Sequence, residues 1–184
     1  MLRRDFVALL AVPPLLFNPA VAKAGDPASH SSPQHANGWP IWASRAGEQF
    51  FFDARTQEGY RVAQHLLRDV RARRMGFPHP YLLRAIAQIQ HWWALHDRHV
   101  RIDITSGMRT PQTNNSIEGA ARASLHLPNQ QGVFFAADFR PTGMPMDVAA
   151  HWLRHAGIGG VGLYLDRNFI HADVGRARSW VARR

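Results

Sequence analysis

The chain has 184 residues, no cysteine, and 22 Lys and Arg against 13 Asp and Glu, for a net charge of +9. That length allows one domain with a sizeable core, and the missing thiols exclude disulfides, thiol proteases and thiolate metal sites. A basic balance suits anionic envelope polymers or membrane surfaces, although it also serves simple solubility.

The first residues read as an address. Arg3-Arg4 precede an apolar stretch over residues 6–17, and Ala22-Lys23-Ala24 supplies a small-residue cleavage pattern. This is the layout of a signal peptide spanning residues 1–24. The stretch is too short to span a bilayer and is broken by Pro13-Pro14. Arg3-Arg4-Asp5-Phe6-Val7 also has the form of a twin-arginine signal, whose cargo is exported folded. Cleavage after Ala24 removes Arg3, Arg4, Lys23 and Asp5, which lowers the net charge from +9 to +7. The expected product is an exported, periplasmic, monomeric protein with no membrane span. Export argues against nucleic acid as the partner of its basic charge.

Residues 25–39 are rich in Pro, Ser, His, Asn and Gly and read as a flexible leader. Its His30 and His35 are taken as solvated. A single domain is expected over residues 40–184. Phe50-Phe51-Phe52 suggests a strand over 48–54. Val62, Leu66, Leu67 and Val70 mark an amphipathic helix over 61–74, ending in the cations of Arg71-Ala72-Arg73-Arg74. After Pro78 and Pro80, residues 81–96 read as a second helix. Residues 100–105 alternate apolar and polar, as a half-buried strand does. Residues 109–127 form a long, mostly polar loop with room for one short helix, and loops of this length are often functional. A strand over 133–139, a helix over 145–156 stopped by Gly157, and a hairpin of 159–164 with 168–174 complete the pattern. The fold class expected is α+β, with a small, mainly antiparallel sheet flanked by helices.

Within this frame, two segments carry chemistry. Ser124-Leu125-His126 is followed by Ala136-Ala137-Asp138-Phe139, and Phe169-Ile170-His171-Ala172-Asp173-Val174-Gly175 lies near the end. Two histidines and an aspartate on stiff elements, with one position left for water, are what a catalytic zinc requires. Residues i and i+2 of a strand share a face. Asp173 therefore projects with His171, where it would either orient the imidazole or act on metal-bound water. His151 and His155 stand four apart on a helix, but no glutamate follows His151 as in helical metalloproteases. His91, His96 and His99 flank Trp92-Trp93; Trp180 reads as a packing residue that ties down the chain end, and Tyr164 fits either a donor to a reaction oxyanion or strand-core packing. Glu118 reads as a solvated loop residue. No nucleophile elbow or phosphate loop is present.

These pieces, in this order, resemble the signature of periplasmic zinc murein endopeptidases, in the superfamily of zinc D-alanyl-D-alanine carboxypeptidases and hedgehog-type domains. Ser106-Gly107-Met108-Arg109-Thr110, Asn114-Asn115, Gly160-Val161-Gly162-Leu163-Tyr164 and the ending His171-Ala172-Asp173-Val174-Gly175-Arg176-Ala177-Arg178-Ser179-Trp180 share in it. It covers roughly residues 50–180. The resemblance implies a hedgehog and D-Ala-D-Ala peptidase-like fold, with Zn2+ held by His126, Asp138 and His171. It implies that Arg109 pairs with a substrate carboxylate or steadies a developing oxyanion. The activity implied is cleavage of peptide cross-links between peptidoglycan stem peptides by metal-activated water, with Asp173 the first candidate for the base. Carboxypeptidase action on the same scaffold, or a metal-free envelope-binding or scaffolding role, are the alternatives. Two departures stand out. Phe169 and Asn168 occupy positions where related enzymes carry a His or Glu, and the interval from His126 to Asp138 is longer than the family's.

Overall fold

The computed structural model describes residues 38–183. The signal peptide expected over 1–24, and all but the last two residues of the leader, lie outside them. Two strands open the described chain, β1 (Pro40–Arg45) and β2 (Glu48–Asp53), followed by helix α1 (Gln57–Leu66) and the short β3 (Phe77–Pro78). Next come α2 (Pro80–Ala94), β4 (Arg101–Ser106), the short α3 (Pro111–Asn115), β5 (Val133–Phe134) and β6 (Ala136–Thr142). The chain closes with α4 (Met146–His155), β7 (Gly160–Tyr164), β8 (Phe169–Asp173) and β9 (Arg178–Ala182).

Seven strands form one sheet in the order β2-β1-β4-β6-β8-β7-β9, and β3 pairs with β5 in a second, two-stranded sheet. The main sheet is mixed. Its β1–β2, β4–β6, β6–β8 and β7–β8 pairs are antiparallel, whereas β1–β4 and β7–β9 are parallel. The expectation of a small, mainly antiparallel sheet therefore holds only in part. The α+β class stands, but the parallel pairs bring in two strands that the pattern missed, β1 and β9. Neither alternates regularly: β1 buries the neighbours Ala43 and Ser44, and β9 has no fully buried residue.

Alternation sorts the sheet into two faces. On one, Ile104, Phe139, Ile170 and Leu163 lie in a single cross-strand row and join the core formed with α1, α2 and α4. Phe139 and Ile170 are fully buried there, and their apolar area drives the layering. The opposite face carries polar groups and lies under the long segment between β4 and β6.

Two expected boundaries shift. Helix α1 ends at Leu66 rather than running to 74. The chain then turns back on itself through an Asp69–Arg74 bridge, with Arg73 at φ 52, so the run of arginines is a turn and not a helix end. The strand expected over 133–139 splits after Phe134, because Phe135 leaves the ladder and donates its N–H to the Leu125 carbonyl at 2.9 Å.

Candidate metal centre and its groove

The polar face is organised as rows of paired residues. One row crosses five strands: Ser106 lies opposite Asp138, Asp138 opposite His171, His171 opposite Gly162, and Gly162 opposite Trp180. The next row runs Ala136, Asp173, Gly160, Arg178. Residues in register on neighbouring strands project to the same side. Strand pairing alone thus sets Asp138 and His171 side by side, with Asp173 one pleat away.

His126 arrives from outside the sheet. The longer His126–Asp138 interval does not separate the two, because the extra residues fold on themselves. Asn129 accepts the N–H groups of Gln131 and Val133 through Oδ1 at 3.0 and 2.9 Å, and its own N–H reaches the Val133 carbonyl. Gly132 closes this turn at φ +77, a conformation glycine adopts without strain. Leu125 and Phe135 then meet, and His126 enters the site beside Asp138.

The three side chains converge. Nε2 of His126 lies 3.2 Å from Oδ1 of Asp138 and 3.2 Å from Nδ1 of His171, and that Nδ1 lies 2.9 Å from the same Oδ1. Among the described residues this is the one group of three or more His, Asp and Glu side chains that could hold a metal ion. His151 and His155 are both exposed on α4 and belong to no such group.

Each member is held from behind. His126 Nδ1 donates to the Gly107 carbonyl at 2.6 Å, which leaves the Nε2 lone pair facing the centre. His171 Nε2 donates to Asp173 Oδ2 at 2.8 Å, which leaves Nδ1 free in the same sense. Asp138 turns Oδ1 to the histidines, while its Oδ2 accepts from the Arg109 guanidinium. Arg109 Nε in turn donates to Ser106 Oγ at 3.0 Å.

Electrostatics follow from these contacts. Burial alone would raise the Asp138 carboxyl, but the two histidines outweigh it and hold the group far below the usual carboxylate range. Burial would lower the His171 imidazole, yet the carboxylates of Asp138 and Asp173 raise it. Asp173, fully buried, is likewise held far below its ordinary value, because His171, Arg178 and the Gly175 N–H together overcome its desolvation.

The Arg109 segment has its own anchor in the turn after α1. Asp69 Oδ2 accepts from Thr110 N at 2.7 Å and from its hydroxyl at 3.0 Å, and Met108 N donates to the Leu67 carbonyl at 2.8 Å. Buried Asn114 donates to the Ala121 carbonyl at 3.0 Å, which closes the loop that follows.

In front of the three side chains lies a groove of about 510 Å³ whose lining includes Glu118, Tyr164, Arg167 and Trp180. Trp180 is not simply the packing residue that the sequence suggested, and Tyr164 lines the groove beside it. Tyr164 stacks on Phe169 with ring centres 4.5 Å apart, and Trp180 donates Nε1 to the Tyr164 hydroxyl at 3.2 Å. Trp180 also lies 5.4 Å from the His171 ring. The signal missed in the sequence was the pair of glycines in Gly160-Val161-Gly162. A Cβ on Gly162 would fall 2.4 Å from the Trp180 ring, and one on Gly160 would fall 2.2 Å from Asp173 Oδ2.

Comparison with known proteins agrees with this geometry. Residues 60–173 match the family model Peptidase M15. The peptidoglycan L,D-endopeptidase MepK of Escherichia coli (strain K12) is 32% identical over 136 residues, which is 71% of this chain and 70% of that protein. The protein of the same name from Shigella flexneri matches equally. The probable peptidoglycan L,D-endopeptidase MepK of Haemophilus influenzae is 33% identical over 123 residues, covering 63% of this chain and 61% of that one. No solved structure matches closely. The family match opens in α1 and ends at the aspartate beside the last ligand candidate, so it encloses the whole His-Asp-His cluster, and the chain belongs to the Peptidase M15 family.

Proposed function

We propose that this protein is a zinc-dependent peptidoglycan hydrolase that cleaves peptide cross-links, an L,D-endopeptidase like the relatives it resembles. The observation that carries the metal reading is the shape of the His126–Asp138–His171 cluster. Zinc donors at about 2.0–2.1 Å in tetrahedral array sit about 3.3 Å apart, and the three candidate atoms span 3.2, 3.2 and 2.9 Å. Both histidines also have their remote nitrogen committed to an acceptor, which is the support a ligating imidazole needs.

A bound zinc would supply a water of near-neutral pKa and a Lewis acid for the scissile carbonyl. The chain's own residues do the rest. His126, Asp138 and His171 present their donor atoms on one side, toward the groove. Arg109 fixes Asp138 and turns its remaining N–H groups to a substrate carboxylate or developing oxyanion. Asp173 takes the orienting role and not that of the base. It is buried, already accepts from His171, and is held strongly in its charged form, which makes it a poor proton acceptor. Tyr164 and Trp180 form the wall against which a stem peptide packs, and the Tyr164 hydroxyl, having accepted from Trp180, keeps its own proton to donate.

The same reading places the mature chain in the periplasm as a monomer, released from a twin-arginine signal over residues 1–24. No helix among the described residues is long and apolar enough to cross a membrane. Replacing both Arg3 and Arg4 by Lys should block export, and normal export would exclude that route.

The test is metal content followed by product analysis. The purified mature protein should carry about one zinc per chain and convert cross-linked muropeptides into their uncross-linked halves. Release of a single terminal amino acid would make it a carboxypeptidase. Binding to sacculi with no product, with or without added zinc, would make it an envelope-binding module.

A further inference from the structure

We infer that Arg178, on the edge strand β9, is a positioning residue for the metal ligand candidate His171, acting through Asp173. The inference rests on the zinc reading above and extends it past the family match, which ends at residue 173. Arg178 grips both oxygens of Asp173, with NH1 to Oδ1 at 3.1 Å and NH2 to Oδ2 at 2.6 Å. Oδ1 also accepts from the backbone N–H groups of Gly160 at 3.1 Å and Gly175 at 2.8 Å, and Oδ2 accepts from His171 Nε2 at 2.8 Å. With Oδ1 filled and the plane of the carboxylate fixed by a two-pronged ion pair, Oδ2 has one direction left, toward the imidazole. That holds His171 in the tautomer whose Nδ1 lone pair faces the cluster.

The fold makes room for this link. Arg178 lies opposite Gly160, and Gly160 opposite Asp173, so the guanidinium must cross over the middle strand to reach its partner. A Cβ on Gly160 would stand 2.2 Å from Asp173 Oδ2 and 2.5 Å from Arg178 NH1. Only glycine leaves that path open. Arg178 is further steadied over the Trp180 ring at 5.2 Å. Ion pairs at a surface usually contribute little. This one differs because its acidic partner is fully buried and its geometry is bidentate.

The experiment compares the wild-type mature protein with Arg178→Ala, Arg178→Lys and Gly160→Ala, using exposed Arg154→Ala on α4 as control. Zinc affinity of the stripped proteins is measured by competition with a chromophoric chelator, and the His171 tautomer by nitrogen NMR of the same metal-free samples, at a pH where the spectrum shows the imidazole neutral. Arg178→Ala and Gly160→Ala should each weaken zinc binding about 10–100-fold and populate the other His171 tautomer. Arg178→Lys should recover only part of the loss, because an ammonium cannot span both oxygens. A lower melting temperature with unchanged zinc affinity and unchanged tautomer would reduce Arg178 to a structural residue and overturn the inference. If the wild type takes up no zinc, the metal reading fails on its own, and the tautomer measurement then decides this link alone.

Discussion

The three ligand candidates differ in what fixes them. Asp138 and His171 are set by strand register, His126 by a loop and one carbonyl. Exchange of His126 or His171 for Ala should remove bound zinc and activity together; a variant retaining full turnover would refute the assignment. Arg109→Ala is a different case, since Arg109 touches Asp138 through the oxygen that faces away from the histidines. At saturating zinc it should still load metal yet lose about 10²-fold in kcat, the usual cost of one donor to a developing oxyanion. Steady-state kinetics on muropeptides, with metal content measured in parallel, separates the two effects. Asp173 holds His171 from behind, and Arg178, which also lines the groove, grips the carboxylate of Asp173.

Between residue and whole molecule, the turn after α1 governs the site through the segment that follows β4. Gly107 supplies the carbonyl that holds His126, and a Cβ there would fall 2.2 Å from the Leu67 carbonyl oxygen. That contact sets a side-chain carbon against the backbone of Leu67, which cannot yield cheaply. Gly107→Ala should therefore lower zinc affinity at least tenfold, even though residue 107 itself binds no metal; chelator competition reads this directly. Asp69 pins the same segment through Thr110. Burial would raise its carboxyl, but the hydrogen bonds from Thr110, Thr113 and Ala72 bring it below the ordinary value. A depressed folded pKa means stability that is complete above the unfolded value of about 3.9 and lost as pH falls through the lower folded one. Asp69→Asn should cost about 1–2 kcal/mol near neutral pH. It should also flatten the loss of stability below about pH 4, which urea unfolding at a series of pH values would reveal. An equally steep acid limb in the variant would contradict this.

For the molecule as a whole, the net charge, +9 for the full chain and +7 without residues 1–24, becomes a statement about substrate form. If the protein works on an anionic, insoluble polymer, attraction adds to local concentration and is screened by salt. Hydrolysis of isolated sacculi should then fall more steeply between 0.05 and 0.5 M salt than hydrolysis of small soluble muropeptides. Parallel salt curves would mean that the charge serves solubility. Helices α1, α2 and α4 pack away from the cluster. They cover one sheet face, and their burial of Ile104, Phe139 and Ile170 keeps the other face rigid enough to hold a cluster at ångström spacing.

The sequence by itself determined the α+β class, the missing thiolates, the order of His126, Asp138 and His171, and most helices and central strands. It did so because these depend on composition, local periodicity and residue chemistry, which a linear chain displays. Only the tertiary structure decided the rest. The parallel pairing of β9 on β7 has no local signature, so Arg178 and Trp180 looked like a chain end and not like one wall of the groove. Gly160 and Gly162 read as ordinary strand residues until their cross-strand partners showed which side chains pass over them. The longer His126–Asp138 interval was ambiguous on paper because spacing does not say whether added residues push two ligands apart or loop out. Asn129 and Gly132 fold them outward, and the two donors meet because strand register and long-range contacts, not sequence distance, set where side chains lie.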